Sequence, residues 1–135
     1  MLKYAAAYVA SAVVFLALDF VWLSAASRFL YKPKLGNLLA DNPNLGVAAL
    51  FYLFYVVGVV ILVVSPAEAA RSWLLALGLG AVLGFVAYGT YDFTNLATIR
   101  DWPAVVSFVD LAWGTFVTAV ASLAGYFAAR WMAGS

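Results

Sequence analysis

The chain has no cysteine and no histidine, and only 10% of its 135 residues are charged. Without cysteine there are no disulfides and no thiolate chemistry. Without histidine there is no imidazole general base, and the usual nitrogen and sulfur ligands of zinc, copper and haem are missing as well. Any metal would have to be held by oxygen, and no cofactor is expected. The only lysines are Lys3, Lys32 and Lys34, all outside the apolar stretches, which removes a Schiff-base chromophore inside a helical bundle. Seven basic residues and a net charge of +1 provide no basic stripe, so nucleic acid is excluded as a partner.

What is present is apolar surface. Hydrophobic residues make up 67% of the chain and the mean hydropathy is +1.03. Too little polar surface remains to cover a water-soluble globule. The expected class is an all-α, polytopic membrane protein, a four-transmembrane-helix bundle in one domain spanning residues 1–135, with a short amphipathic or re-entrant segment after the first helix. Its helices are placed at roughly 4–26, 46–64, 66–93 and 103–130. Each is long enough, at about 1.5 Å per residue, to cross about 30 Å of hydrocarbon. The first apolar run follows Lys3 and ends in Ser24-Ala25-Ala26-Ser27, which invites comparison with a signal peptide. Its length and the presence of Asp19 favour a retained helix.

Local punctuation sets the expected boundaries. Asn42-Pro43 reads as a cap followed by a first-turn proline for the second helix. Ser65-Pro66-Ala67-Glu68 matches a capping box and starts the third helix at Pro66. Asp101-Trp102-Pro103 reads as the start of the fourth, with Trp102 at interface depth. Between Ser27 and Leu45, apolar residues alternate with basic ones, as in a segment lying on a membrane surface. Calling side A the one with both termini, its basic residues are Lys3, Arg71 and Arg130, whereas side B carries Arg28, Lys32, Lys34 and Arg100. The slight excess points side B to the cytoplasm.

Three aspartates stand out against this background. Asp19, Asp92 and Asp110 lie inside or at the edge of apolar runs, where a carboxylate costs a few kcal/mol or more and usually faces a bundle interior or wet cavity. With alternating helix directions, all three fall in the B half, Asp19 and Asp110 about 10 Å below their helix ends and Asp92 near the rim. Helical phase places Tyr8, Ser11, Phe15, Asp19 and Trp22 on one stripe. It also groups Gly84, Tyr88, Tyr91 or Asp92, and Asn95 on the third helix, and Ser107, Asp110, Gly114 and Thr118 on the fourth. Tyr52 and Tyr55 enter at the same depth. The expected ligand-binding or proton-linked set is therefore Asp19, Asp92, Asp110, Trp22, Tyr55, Tyr88, Tyr91, Asn95 and Trp113. Lys32, Lys34 and Arg100 are assigned to solvent or lipid headgroups.

Each residue also has a structural reading. Asp19 and Asp110 could lock helices together by accepting from a tyrosine, tryptophan or arginine, and Asp92 could bond Thr94, Asn95 or nearby backbone. The tryptophans suit a membrane belt, and the glycines suit close helix contacts.

The densest polar cluster runs from Tyr88 to Pro103, and its most specific part, Tyr91-Asp92-Phe93-Thr94-Asn95-Leu96-Ala97-Thr98, stands with Leu18-Asp19-Phe20-Val21-Trp22, Tyr31-Lys32, Leu35-Gly36, Leu38-Leu39 and Asp110-Leu111-Ala112-Trp113-Gly114-Thr115. Together these resemble the bacterial family of small predicted membrane proteins called domain of unknown function 2177. The resemblance extends over nearly the whole chain and implies a multi-pass protein of the bacterial inner membrane, leaving activity open.

Three functional classes stay in view. The first is binding or transport of a small amphipathic or lipid-like molecule in a polar and aromatic cavity. Four helices are few for a transporter, so this class carries a homodimer or larger membrane complex. The second is a lipid-modifying enzyme using carboxylate acid/base chemistry, with Tyr88 or Tyr91 as donor or an oxygen-ligated ion on the three aspartates and Asn95. No nucleophile motif or nucleotide loop supports it. The third is an accessory subunit whose acids only fix helix register.

Overall fold

The computed structural model describes residues 2–40 and 44–134, and these are helical with no strand among them. In hydrocarbon a backbone must satisfy its own polar groups, and helices do so within one segment. Four stretches, Leu2–Leu38, Leu45–Ala70, Trp73–Thr98 and Ala104–Met132, are long and apolar enough to cross a membrane.

The first stretch begins as α1 (Leu2–Ala26) and passes through a five-residue π turn, Ser27–Tyr31, into the single turn α2 (Lys32–Leu35) and a 3-10 turn, Gly36–Leu38. This is the expected segment after helix one. It is helical throughout, and it buries Leu30. The second stretch is α3 (Leu45–Val59), a π turn at Val60–Val64 and α4 (Ser65–Ala70). The third and fourth are α5 (Trp73–Thr98) and α6 (Ala104–Met132).

Three boundaries differ from expectation: the second stretch runs on to Ala70, the third begins at Trp73, and it continues to Thr98 rather than ending at 93. Ser65-Pro66-Ala67-Glu68 does not open the third helix; it continues the second. A proline inside a helix normally loses a hydrogen bond and crowds the preceding turn. Here the widened π turn precedes it, and the Ser65 N–H bonds the Val60 carbonyl five residues back. The helix instead ends one turn later, where Arg71 adopts a left-handed conformation at φ 51°. The Ser72 N–H then bonds the Ala67 carbonyl and the Arg71 N–H bonds that of Glu68, both at 3.0 Å. That is the Schellman pattern, with arginine where glycine is usual. Ser72 caps α5 by accepting from the Leu75 N–H at 3.0 Å. The expected Asn42-Pro43 cap lies outside the described residues, and α3 is capped by Asn44, which accepts from the Val47 N–H at 3.1 Å. The fourth helix starts at Ala104, directly after Pro103.

α6 is the central element, packing most extensively against α5 and then α1. Small residues make this approach possible. A Cβ on Gly80 would sit 2.6 Å from Ser122 Oγ, and one on Gly84 would overlap the Gly114 carbonyl. A Cβ on Gly114 would enter the Tyr88 ring, and one on Gly125 would meet Ser11 Oγ. Ser11 also donates from its hydroxyl to the Ala121 carbonyl at 2.8 Å, fixing α1 on α6.

The freed Glu68 side chain joins three elements on side A. Lys3 Nζ stands 3.1 Å from one carboxylate oxygen and Arg130 Nη1 3.3 Å from the other. Glu68→Gln is expected to lower stability by about 1 kcal/mol, the scale of partly exposed ion pairs. Thermal melts in detergent check this. The gap between variant and wild type should narrow as salt is raised, because screening weakens the native pair.

Candidate functional site

The B half of the bundle holds a half-open cavity of about 1140 Å³. Its described lining comes from α1, the Ser27–Leu38 turns, α3, α5 and α6, so every membrane-crossing stretch contributes. All three aspartates reach it, together with Trp22, Tyr55, Tyr88 and Tyr91 from the expected set.

The stripe on α1 forms as its periodicity implies. Ser11, Phe15 and Asp19 are buried, while Trp22, one turn further on, is half-buried at the cavity wall. Asp19 Oδ1 accepts from Trp113 Nε1 at 3.2 Å. Trp113 lies outside the lining and acts through that bond and by stacking on Trp22, with ring centroids 4.7 Å apart and planes within 8°. On α5, the choice between Tyr91 and Asp92 is resolved: Asp92 is turned fully inward, at 0% exposure, and Tyr91 stands at 58% along the cavity edge. Asn95 does not line the cavity; its carbonyl accepts the Ile99 N–H at the end of α5.

Asp110 on α6 accepts at Oδ1 from the Tyr31 hydroxyl at 2.6 Å, and Trp22 Nε1 donates to the Tyr31 oxygen at 3.0 Å. Tyr31 was not among the expected site residues. Its sequence signal was weak, a tyrosine beside Lys32 in the amphipathic stretch, and only the π turn at Ser27–Tyr31 delivers it to the carboxyl. Tyr52 and Trp102 also line the cavity, and Lys32, expected at a headgroup, lies on its wall as an exposed residue. Lys34 and Arg100 are exposed and lie outside the lining.

Asp92 is unlike the other two acids. Its backbone carbonyl accepts from Ser107 Oγ at 2.6 Å, and Trp102 Nε1 donates to that same Oγ at 3.0 Å, binding the end of α5 to the start of α6. Its carboxyl, however, has no hydrogen-bond partner on either oxygen among the described residues. The expected bonds to Thr94 or Asn95 are not made. Asp110 is its acidic neighbour across the site.

Two chemistries can be weighed on this geometry. No cluster of three or more acidic residues is arranged to hold a metal ion among the described residues. The ion-dependent version of the enzyme reading therefore lacks its ligand set. Recognition of a ligand by hydrogen bonding and apolar contact has what it needs: acceptors converging on a roomy cavity with aromatic walls.

A family model described as predicted membrane protein (DUF2177) matches residues 4–127. No curated protein and no solved structure matches the chain.

Proposed function

Because this chain belongs to the DUF2177 family of predicted membrane proteins, whose description specifies no activity, we propose its function from the cavity: it binds or transports a small amphipathic or lipid-like molecule. The observation that carries this reading is the lining. Three carboxyls stand on a wall otherwise built from residues such as Leu23, Leu35, Phe51 and Tyr88. Its volume suits a compact ligand with a polar end, and pockets of this kind orient ligands through a few convergent polar groups. The site of action is a bacterial inner membrane, with lipids as the surrounding partners and a homodimer or larger complex as the working unit of any transport.

A second reading draws on two contacts. Trp113 on Asp19 and Tyr31 on Asp110 are bonds an accessory subunit would use to fix helix register. Native mass spectrometry of the detergent-purified protein separates the two, comparing wild type with the Asp19→Asn/Asp110→Asn double variant. A retained small-molecule adduct in the wild type, lost in a variant with an unchanged melt, is the expected result. No adduct in either protein would transfer the assignment to the accessory role.

A further inference from the structure

Asp92 carries a further step, which rests on the binding function proposed above. A fully buried carboxyl with both oxygens unpaired is a rare arrangement, because the unmade hydrogen bonds cost the desolvation of each oxygen. It lines the same cavity as Asp19 and Asp110, which, among the described residues, places three carboxyls against one basic lining residue, Lys32. Among the described residues, the ion pairs of the chain are those of Glu68 with Lys3 and Arg130, so none of the three cavity acids has a basic partner.

Among the described residues no indole, hydroxyl or ammonium donates to the Asp92 carboxyl. Asp110 is itself an acceptor, already taking the Tyr31 proton at one oxygen. Two ionised carboxylates meet as acceptor against acceptor, so what joins them is either a proton held between the pair or a donor brought in by a ligand. Trp22 spends its N–H on Tyr31, Trp102 spends its own on Ser107, and Trp113 spends its own on Asp19. Every indole donor around the acids is already committed.

We infer that the cavity selects a cation bearing N–H donors on an apolar body, a protonated primary or secondary amine, whose head approaches from the Asp110 side and reaches the Asp92 carboxyl as the side chains covering it part. An ammonium supplies up to three donors and a positive charge, and a hydrogen bond to a charged acceptor is about twice as strong as a neutral one. A quaternary ammonium would supply the charge and no donor, leaving Asp92 unsatisfied. An alcohol would supply a single donor and no charge. Tyr31 occupies Asp110 as an internal donor of the alcohol type, so a stronger donor entering the site competes with it. The apolar body lies along Leu23, Leu35, Leu39 and Phe51.

Four probes of equal chain length test the inference on the purified full chain in dodecyl maltoside: octylammonium, octyltrimethylammonium, octanol and octanoate, each titrated by native mass spectrometry. Octylammonium should form a one-to-one adduct at a concentration at least about tenfold below the other three, and Asp92→Asn should erase that preference. Asp110→Asn should weaken it in the same direction, which guards against one variant that fails to fold. Equal binding of octanol and octylammonium would overturn the cation assignment and leave the amphiphile cavity standing. Binding led by octanoate would do the same and make Lys32 the recognising group. A preference untouched by Asp92→Asn would move the seat away from this carboxyl and overturn the proposal. No adduct with any of the four would overturn the inference together with the binding function, and would leave a proton shared between the two carboxyls as what satisfies them.

Discussion

Gly84→Val should strongly destabilise the bundle. Gly84 faces the Gly114 carbonyl and Thr118, so a Cβ at this position overlaps backbone, which cannot rotate away as a side chain can. The extensive α5 and α6 contact has to open along its length. Overpacking a core usually costs about 1–3 kcal/mol, and a clash against backbone belongs at the upper end. In hydrocarbon no water is expelled when helices meet, so lost packing contacts are not recovered by a hydrophobic term. The check is size-exclusion chromatography and a thermal melt in detergent beside Gly78→Val. Gly78 has open space where its Cβ would be, and that variant should behave as wild type. Comparable melts for the two would contradict the packing described for α5 and α6.

Asp92→Asn is expected to act in the opposite direction on stability while removing ligand recognition. The wild-type carboxyl is buried with neither oxygen bonded. An amide of the same shape carries no charge and presents an N–H₂ that the Asp110 carboxylate can accept. Relieving a buried unsatisfied acid is worth about 1–3 kcal/mol. A higher melting temperature with reduced amine binding is the signature of a site kept at the expense of stability. A structural role predicts the reverse: a variant that melts lower, because the acid would then be fixing α5 in place. Differential scanning fluorimetry on the apo protein distinguishes the two, since the effect is read without any ligand.

The fold was largely legible because the dominant signals were long and periodic. Ser11, Phe15 and Asp19 recur at four-residue spacing and are buried on one face, as are Ser107, Gly114 and Thr118 on α6. Gly84 and Gly114 stood out as small residues and meet across the α5 and α6 contact. Short-range signals were less secure. Ser65-Pro66-Ala67-Glu68 satisfies a capping rule, yet a capping box and a helix interior with a tolerated proline share the same letters. The π turn that separates them has no sequence signature of its own. At the site, helix direction and rise could place Asp19, Asp92 and Asp110 in the B half but could not say which acid would be left without a donor. That depends on Tyr31 and Trp113, whose partners lie 79 and 94 residues away. Asn95 shares the helix face of Tyr88 and Asp92 but sits about one turn nearer the end of α5, and it is not on the cavity wall.

The centrality of α6 has a consequence for how such a chain is born. α1 leaves the ribosome well before α6, so Ser11 waits for the Ala121 carbonyl, 110 residues later, and Asp19 for Trp113. Throughout the synthesis of everything between, the earliest helix holds a hydroxyl and a carboxyl whose native partners do not yet exist. Closure of the bundle therefore cannot precede the emergence of α6, and any nascent chain stopped ahead of it leaves α1 with polar groups seeking company in the lipid.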